Sequence, residues 1–259
     1  MGLELPQSLS PSKVVSFRDC ALQFKYSVID RLPEPPSAPA AKGTLVHRAL
    51  ELLYCRPPDA RTLDAALVDL DAAWTDVMES DEYAALVLDD PDAFRASAAE
   101  LVRRYFLLED PTTIRPIGLE LFLSTPLNAR VALRGIIDRL ELDDDGELVV
   151  TDYKTGKVPG ERQEQGRLTG VHFYSYLCEK LFGRRPARIQ LLYLGEPVAI
   201  IATPSEQSTR GLERKVDAIW SAIERACERE DFRPKPSALC AWCSFRDLCP
   251  AVGGSALAS

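Results

Sequence analysis

Two aspartates and a lysine stand at the ends of apolar, strand-like runs in the middle of the chain. Asp138 follows the run that begins at Gly135, and Asp152 and Lys154 close the run that begins at Val149. Side chains two residues apart on a strand point to the same face, so Asp152 and Lys154 are expected to face the same way. Neighbouring carboxylates repel each other, and a hard divalent cation with oxygen ligands removes that repulsion. The pattern therefore predicts a divalent-cation site with a lysine beside it.

A β-hairpin would bring the two runs together. Residues 143–146, three aspartates followed by a glycine, carry a turn signal. With a four-residue loop, Asp138 lies opposite Thr151, one residue from Asp152, and directly opposed side chains are about 5 Å apart. An aspartate beside a turn more often caps the backbone, and an Asp-x-Lys triplet alone arises by chance. The prediction of chemistry therefore depends on the combination.

Three of the seven cysteines lie close together in the last part of the sequence. Cys240, Cys243 and Cys249 follow the spacing Cys-x2-Cys-x5-Cys, which can surround one metal centre. A site of four thiolates needs one more, and Cys20 on the first predicted helix is the candidate. An odd number of cysteines argues against a pure disulfide framework. The remaining cysteines lack a partner at ligand spacing and are predicted to be small buried hydrophobic residues: Cys55, Cys178 and Cys227.

The surrounding sequence predicts helices first and strands afterwards. A helix is expected over residues 10–26, then a proline-rich loop over 33–39 and a second helix from about residue 43. Further helices are predicted between residues 60 and 108, where apolar residues recur at helical spacing. The later strand-like runs are 117–123, 130–142, 147–153, 187–194 and 198–203, with helices at 169–181 and 208–229. These elements indicate an α/β fold with extra helices before the sheet.

The charge is distributed unevenly. The chain of 259 residues has a formal net charge of −8, which by itself argues against binding to nucleic acid, because phosphate contacts need Lys and Arg. Residues 59–100, however, contain twelve acidic and two basic residues, and the rest of the chain contains 27 acidic and 29 basic ones. The composition therefore permits DNA binding. The acidic stretch is interpreted as a helical insertion that either forms a partner surface or excludes duplex DNA by repulsion.

Several classes of protein are excluded or disfavoured by what the sequence lacks. No apolar run approaches the roughly 20 residues of a membrane span, and residues 1–11 lack the regions of a signal peptide. A cytoplasmic protein without a membrane partner is therefore expected. The sequence contains no Gly-x-x-x-x-Gly-Lys-[Ser/Thr] motif, so no P-loop motor is predicted.

A series of short motifs connects these features. In chain order they are Gly43-Thr44-Leu45-Val46-His47, Glu120, Gly135 to Asp138, Asp152-Tyr153-Lys154, and His172 to Tyr176. Their order and spacing resemble the RecB-type branch of the PD-(D/E)xK nucleases, which includes CRISPR-associated exonucleases and the nuclease domains of helicase–nuclease complexes. The matching family motifs are Gly-x-x-x-His, a glutamate on the strand before the hairpin, Gly-x-x-Asp, Asp-x-Lys and Gln-x-x-x-Tyr. The chain departs from the last motif, with His172 in place of Gln. The resemblance covers nearly the whole chain outside residues 55–110.

The resemblance implies a restriction-endonuclease-like core, in which helices flank a mixed central sheet. It also implies a Mg²⁺ or Mn²⁺ ion held by His47, Asp138 and Asp152, together with the carbonyl of Tyr153. Such an ion polarises the scissile phosphate and lowers the pKa of a bound water. Without the downstream motifs, a lone helical histidine such as His47 would be interpreted as a packed or capping residue.

Three further side chains acquire roles by the same resemblance. Lys154 would orient the attacking water or stabilise the charge on the pentavalent phosphate. Glu120 would bind a second ion or position the site, and the alternative is a solvated strand residue. Tyr176 would steady Lys154 or contact a phosphate, and the alternative is a half-buried aromatic residue on an amphipathic helix.

The cysteine pattern resembles the iron-staple nucleases of the same family, in which one N-terminal and three C-terminal cysteines hold a [4Fe–4S] cluster. Carried over to this chain, the ligands are Cys20, Cys240, Cys243 and Cys249. The cluster would close a loop containing most of the chain and would thereby stabilise the fold. A structural zinc site with four cysteines is the alternative, although zinc sites more often have two Cys-x2-Cys pairs.

The sequence is thus divided into four segments. Residues 1–54 contain the N-terminal helices, the first cluster cysteine and the Gly-x-x-x-His motif. Residues 55–110 form the acidic helical insertion, residues 111–231 the nuclease core, and residues 232–259 the cysteine-rich tail.

Two functions are compatible with this organisation. The first is a Mg²⁺- or Mn²⁺-dependent exonuclease that acts on single-stranded DNA or DNA ends in DNA repair, recombination or the processing of foreign DNA, with a helicase or repair protein as a candidate partner. The second is a non-catalytic DNA-end-binding or assembly subunit that keeps the nuclease fold and the cluster. The presence of His47, Asp138, Asp152 and Lys154 favours the enzyme.

Overall fold

The computed structural model describes residues 2–158 and 160–252 and forms two compact units. The first unit consists of Met1–Pro35, Ser124–Gly135 and Glu206–Ser259, and the second of Pro36–Leu123 and Ile136–Ser205. Each unit combines pieces of several of the four sequence segments. Residues 253–259, the end of the expected cysteine-rich tail, lie outside the described residues.

The helices and strands largely follow the predicted order. In chain order they are β1 (Ser8–Leu9), α1 (Pro11–Asp19), α2 (Ala21–Phe24), a π-helical turn (Lys25–Ile29), α3 (Ala38–Cys55), a 3-10 turn (Pro58–Ala60), α4 (Leu63–Met78), α5 (Pro91–Tyr105), β2 (Pro116–Pro126), β3 (Ala132–Leu142), β4 (Leu148–Lys154), α6 (Glu161–Phe182), β5 (Arg188–Tyr193), β6 (Val198–Ala202), α7 (Glu206–Arg229) and 3-10 turns at Ala238–Trp242, Arg246–Leu248 and Pro250–Val252.

The sheet of the second unit is mixed. β3 pairs with β4 in antiparallel fashion, β4 with β5 in parallel and β5 with β6 in antiparallel fashion, while β2 also pairs with β3. A parallel pair needs a crossover connection, and α6 supplies it between β4 and β5. The predicted α/β class is confirmed.

The helices α3, α4 and α5 share one apolar core with the sheet of the second unit. Buried residues of the three helices pack together with Tyr153 of β4 and with Leu192 and Leu194, at and just beyond the end of β5. The helical stretch after α3 therefore buries its apolar face against the element that carries His47 and against the sheet.

Several helix boundaries differ from the prediction, and α6 begins at Glu161 rather than at residue 169. α3 begins at Ala38, five residues before the predicted start, because the Ser37 hydroxyl accepts the N–H of Ala40 and Pro39 fits the first turn. The predicted helix over 10–26 is interrupted at Cys20, whose backbone is extended with φ −158° and ψ 110°. The interruption places Cys20 at the junction between α1 and α2.

The β3–β4 hairpin differs from the prediction by one residue. Leu142 pairs with Leu148, so five residues rather than four lie between the paired strand ends. Arg139 consequently opposes Thr151, and one step further along the same register Asp138 opposes Asp152. The predicted pairing of Asp138 with Thr151 is wrong, and the observed register brings the two carboxylates closer.

A β-bulge lies in β2. The N–H of Leu127 bonds the carbonyl of Val131 at 2.9 Å, and the N–H of Leu142 bonds the carbonyl of Arg115 at 3.4 Å. Between these two bonds β2 contains one more residue than β3, which defines a bulge. Glu120, with φ +42°, is the residue of β2 in the left-handed region and marks the position of the bulge.

The first unit is built around α7. β1 pairs in parallel with the start of β3, and α1 packs against α7. α7 is amphipathic, with a buried stripe that includes Val216, Trp220 and Ile223. In the described part of the chain, no helix is both long and apolar enough to cross a bilayer.

Candidate active site

Three potential metal ligands from three elements converge in the second unit. His47 is on α3, Glu120 on β2 and Asp138 on β3. The Nδ1 atom of His47 is 3.5 Å from Oδ2 of Asp138 and 4.0 Å from Oε1 of Glu120. One nitrogen and two carboxylate oxygens thus lie within 4.8 Å of one another, a spacing that can hold a single ion.

The hydrogen bond on the far side of the His47 ring defines its tautomer. Nε2 is 3.1 Å from the carbonyl oxygen of Tyr153. A carbonyl only accepts, so Nε2 carries the proton and Nδ1 presents its lone pair to the carboxylates. Burial lowers the pKa of His47, which favours the neutral ring that a metal requires. A backbone carbonyl that fixes the second nitrogen is the usual arrangement around a metal-binding histidine.

Asp138 is the most enclosed of the three candidate ligands. Its Oδ2 accepts the backbone N–H of Tyr153 at 2.6 Å, and its side chain is buried. Burial first, and the charge of Asp152 second, raise the pKa of Asp138 well above its ordinary value. Two buried carboxylates that face each other across a strand pair therefore repel, as the sequence predicted.

Asp152 and Lys154 form an ion pair on β4. Burial opposes the charge of Lys154, but Asp152 and Asp138 outweigh that effect and raise its pKa. The predicted proximity of a lysine to the paired carboxylates is confirmed, and the lysine stays positively charged. A fixed positive charge at this position can stabilise a developing negative charge on a bound phosphate.

The bulge in β2 directs Glu120 at this cluster. A positive φ is costly for glutamate, and such strain is maintained where the surrounding structure demands it. Burial, then the charges of Glu51 and Asp152, raise the pKa of Glu120 to about 7. Glu120 therefore lies within the group of candidate ligands, and its role as a ligand or as a residue that positions the site stays a prediction.

The raised pKa of Glu120 predicts that the metal-free protein loses stability as the pH rises. Between its ordinary value of 4.5 and about 7, the folded state retains a proton that the unfolded glutamate has lost. The free energy of unfolding then falls across this window and, for this group, no further above it. We expect the decline to be smaller in Glu120→Gln, measured by denaturant unfolding in a chelator from pH 4.5 to 8. Glu196→Gln, at an exposed position, is the control and should follow the wild type; equal slopes for Glu120→Gln and the wild type would contradict the prediction.

Tyr174 is a site residue that the sequence did not reveal. Its hydroxyl donates to Oδ1 of Asp152 at 3.3 Å, and burial followed by Asp152 raises its pKa well above the ordinary value, so it remains a donor. Tyr176 lies fully buried, with the Nζ atom of Lys180 5.3 Å from its ring centre. Two residues on a helix are about 200° apart, so the two tyrosines face opposite sides. Tyr174 could be found only by combining the helical period of α6 with the position of the sheet. The motif alone does not show which side of the helix faces Asp152.

The four cysteines singled out from the sequence line one cavity in the first unit. Burial, and then the neighbouring cysteines, raise the pKa of Cys243, while the backbone N–H of Phe245 lowers it. The backbone N–H of Ser237 donates to Sγ of Cys240 at 3.3 Å. Among the described residues, no three of the cysteine sulfurs lie within 4.8 Å of one another.

The tail around these cysteines is held by aromatic contacts within the first unit. The rings of Tyr26 and Phe245 meet edge to face, with their centres 5.5 Å apart, and the Tyr26 hydroxyl donates to the carbonyl of Leu248 at 3.1 Å.

The other cysteines were predicted to be buried. Cys178 and Cys227 are buried and Cys55 is exposed, because Cys55 ends α3 where the helix leaves the core.

Comparisons with protein families and with solved structures both found matches. The sequence pattern of the family described as the PD-(D/E)XK nuclease superfamily matches residues 8–250. Among solved structures, a candidate exonuclease from Eubacterium rectale aligns with a TM-score of 0.61 and 12% identity, over 98% of this chain and 90% of that protein. A protein named SSO0001 aligns with a TM-score of 0.47 and 12% identity, over 96% of this chain and 88% of that one. At such identities the structural likeness concerns the fold alone. No curated protein matches the sequence.

Proposed function

Because the chain belongs to the PD-(D/E)XK nuclease superfamily, we propose that it is a metal-dependent deoxyribonuclease, an exonuclease of the RecB type acting on single-stranded DNA or DNA ends. The observation that carries the proposal is the convergence of His47, Glu120 and Asp138 within reach of one ion. The ion pair of Asp152 and Lys154 on the adjacent strand adds the charge needed to act on a phosphodiester. DNA repair, recombination or the processing of foreign DNA would use such an activity, with a helicase as a candidate partner.

The chemistry of the donor set fits a hard divalent cation. His47, Glu120 and Asp138 offer one neutral nitrogen and carboxylate oxygens, and Asp152 faces Asp138 across the strand pair. Mg²⁺ and Mn²⁺ both suit oxygen-rich sites. Burial first, and the charges of neighbouring carboxylates second, raise the pKa values of Glu120 and Asp138, and a bound cation would favour the ionised form of both. A bound ion would supply Lewis-acid polarisation of the scissile phosphate and a lower pKa for an attacking water.

The chain's own side chains supply binding and orientation. Lys154 is held charged beside Asp152 and would contact the phosphate as negative charge develops on it. Tyr174 donates to Asp152 and so fixes that carboxylate. Tyr153 contributes its backbone, because its N–H holds Asp138 and its carbonyl holds His47.

We further propose that Cys20, Cys240, Cys243 and Cys249 bind a [4Fe–4S] cluster. All four line one cavity, and backbone N–H groups point at two of the sulfurs. Hydrogen bonds to cysteine sulfur are a feature of iron–sulfur sites, where they tune the cluster. A zinc ion bound by the same thiolates is the alternative that metal analysis separates.

Degradation of end-labelled DNA tests the proposed activity. Protein purified without oxygen is incubated with Mn²⁺ and single-stranded or blunt duplex DNA labelled at either the 5′ or the 3′ end. We expect stepwise shortening by the wild type, none in a chelator, and none by Asp152→Ala or Lys154→Ala.

The two variants exclude a contaminating nuclease, because they are purified in the same way. An inert wild type that still binds DNA ends would replace the proposal with the end-binding function. A closed circular single strand is the matched substrate: if it is cut as fast as the linear strand, the enzyme is an endonuclease.

Removal of the Tyr174 hydroxyl should weaken the site without dismantling it. Tyr174→Phe leaves the Asp152 carboxylate with one hydrogen bond fewer, and loss of such a supporting contact typically costs about 10- to 100-fold in activity or metal affinity. The measurement is the initial cleavage rate over a range of Mn²⁺ concentrations. Tyr176→Phe removes a tyrosine hydroxyl on the opposite side of α6 and should have the smaller effect. A larger loss of activity in Tyr176→Phe than in Tyr174→Phe would instead assign the supporting role to Tyr176, as the family motif suggested.

A further inference from the structure

Arg139 carries a positive charge into the interior directly behind the candidate active site. It follows Asp138 on β3, and because side chains alternate along a strand it points to the opposite face of the sheet. Its side chain is 0% exposed. Burying a guanidinium costs free energy unless each of its N–H donors meets an acceptor. The acceptors of Arg139 therefore identify the elements that are fixed relative to it.

The donors of Arg139 are satisfied by acceptors from several elements of the second unit. Nη1 donates to the hydroxyls of Tyr54 at 2.7 Å and Tyr153 at 2.9 Å, and Nη2 donates to both carboxylate oxygens of Glu109 at 2.9 Å. The remaining acceptors are the hydroxyl of Thr151 at 3.0 Å, the hydroxyl of Tyr105 at 3.3 Å and the carboxylate of Glu141.

Tyr153 connects this cluster to the candidate metal ligands. Its ring hydroxyl accepts from Arg139, while its backbone N–H donates to Asp138 at 2.6 Å and its carbonyl accepts from His47 at 3.1 Å. A shift of Tyr153 would therefore move the hydrogen-bond partners of two ligands together. Asp152 is its neighbour in the chain and would move with it.

The cluster also joins the helices to the sheet. Tyr54 lies seven residues after His47 on α3, two helical turns along the same face. Tyr105 ends α5, and Glu109 follows it. The segment interpreted from the sequence as an acidic insertion thus supplies two of the acceptors of Arg139, of which Glu109 binds it at 2.9 Å and Tyr105 makes the longest contact, at 3.3 Å.

We propose that Arg139 is a positioning residue for the metal site, acting through Tyr153 to fix His47 and Asp138. This inference rests on the proposed function only in that the site binds a divalent ion. The alternative is that the cluster stabilises the fold and does not affect the geometry of the candidate ligands. The two hypotheses differ in whether the affinity for the metal depends on the hydroxyl of Tyr153 in particular.

The test compares two tyrosine hydroxyls of the same cluster by Mn²⁺ titration calorimetry without DNA. Tyr153→Phe removes the hydroxyl that links Arg139 to β4, the strand that carries Asp152 and Lys154. Tyr105→Phe removes one that contacts Arg139 and Tyr54 and lies on an element without ligands. We expect Tyr153→Phe and Arg139→Lys to weaken Mn²⁺ binding by about 10- to 100-fold, the usual effect of losing a supporting contact. Tyr105→Phe should bind Mn²⁺ within about 2-fold of the wild type, and unfolding in a chelator reports the stability of each variant.

Cleavage gives a second readout that a purely structural role would not move. In Tyr153→Phe the lost rate should return as the Mn²⁺ concentration is raised, because the defect lies in affinity. Wild-type affinity in Tyr153→Phe, or an equal loss of affinity in Tyr105→Phe, would overturn the inference while leaving the proposed function intact. A wild type that binds no Mn²⁺ would overturn the proposed function and this inference with it.

Discussion

Replacing Asp138 by asparagine should lower the rate of DNA cleavage by about 1,000-fold or more, since the charge of one ligand and the geometry of its neighbours are lost together. Asp138 faces His47 and Asp152 and accepts the N–H of Tyr153. Asparagine keeps the size of the side chain and one acceptor oxygen, so the hydrogen bond to Tyr153 can persist. The missing charge is what the cation requires.

The same substitution should not destabilise the metal-free protein. Burial and the charge of Asp152 raise the pKa of Asp138. The ionised Asp138 carboxylate therefore destabilises the folded state when no cation is present. We therefore expect Asp138→Asn to unfold at the same or a higher temperature than the wild type in a chelator, while Mn²⁺ stabilises only the wild type. Loss of activity with gain of stability distinguishes a functional carboxylate from a structural one.

Asp144→Asn is the matched control, because Asp144 is an exposed residue in the turn of the same hairpin. It should keep the wild-type rate and the wild-type response to Mn²⁺. Retention of more than a tenth of the activity in Asp138→Asn would contradict its assignment as a ligand.

The carboxylate pair was predictable from the sequence, but its register was not. The apolar runs and the Asp-rich turn placed Asp138 and Asp152 on neighbouring strands. The length of the turn depends on the conformation of Asp143, whose side chain accepts the N–H groups of Asp145 and Glu147 at 3.1 and 2.8 Å. These local bonds widen the loop to five residues, and composition alone does not distinguish this from four.

The position of Glu120 depends on pairing that no local pattern records. Its strand was predicted, but the bulge exists because β2 has one more residue than β3 between their shared hydrogen bonds. The cluster around Arg139 was missed for a related reason. Tyr54 and Arg139 are 85 residues apart in the chain, and a sequence motif compares only neighbours. Long-range packing therefore decides the finer geometry of a site whose principal residues are recognisable locally.

Replacing Cys243 by serine should remove the iron and destabilise the protein strongly. A group that links Cys20 to the tail closes a loop of most of the chain, and by the chain-entropy estimate used for covalent cross-links such closure is worth about 5 kcal/mol in the free energy of unfolding. Serine matches the size of cysteine but is a poor ligand for iron. We expect loss of the brown colour, loss of bound iron by metal analysis and a lower unfolding temperature.

Cys55→Ser is the matched control, because Cys55 is an exposed cysteine outside the cavity. It should keep the colour, the iron content and the unfolding temperature of the wild type. Colourless wild-type protein with one zinc per chain, still lost in Cys243→Ser, would replace the cluster by the zinc alternative and keep the four cysteines as ligands. If the wild-type protein contains neither iron nor zinc and Cys243→Ser does not change its stability, the proposal that the four cysteines bind a metal centre is wrong. Because the candidate nuclease ligands lie in the second unit and the cysteines in the first, Mn²⁺ affinity measured in Cys243→Ser then shows whether the nuclease site requires the staple.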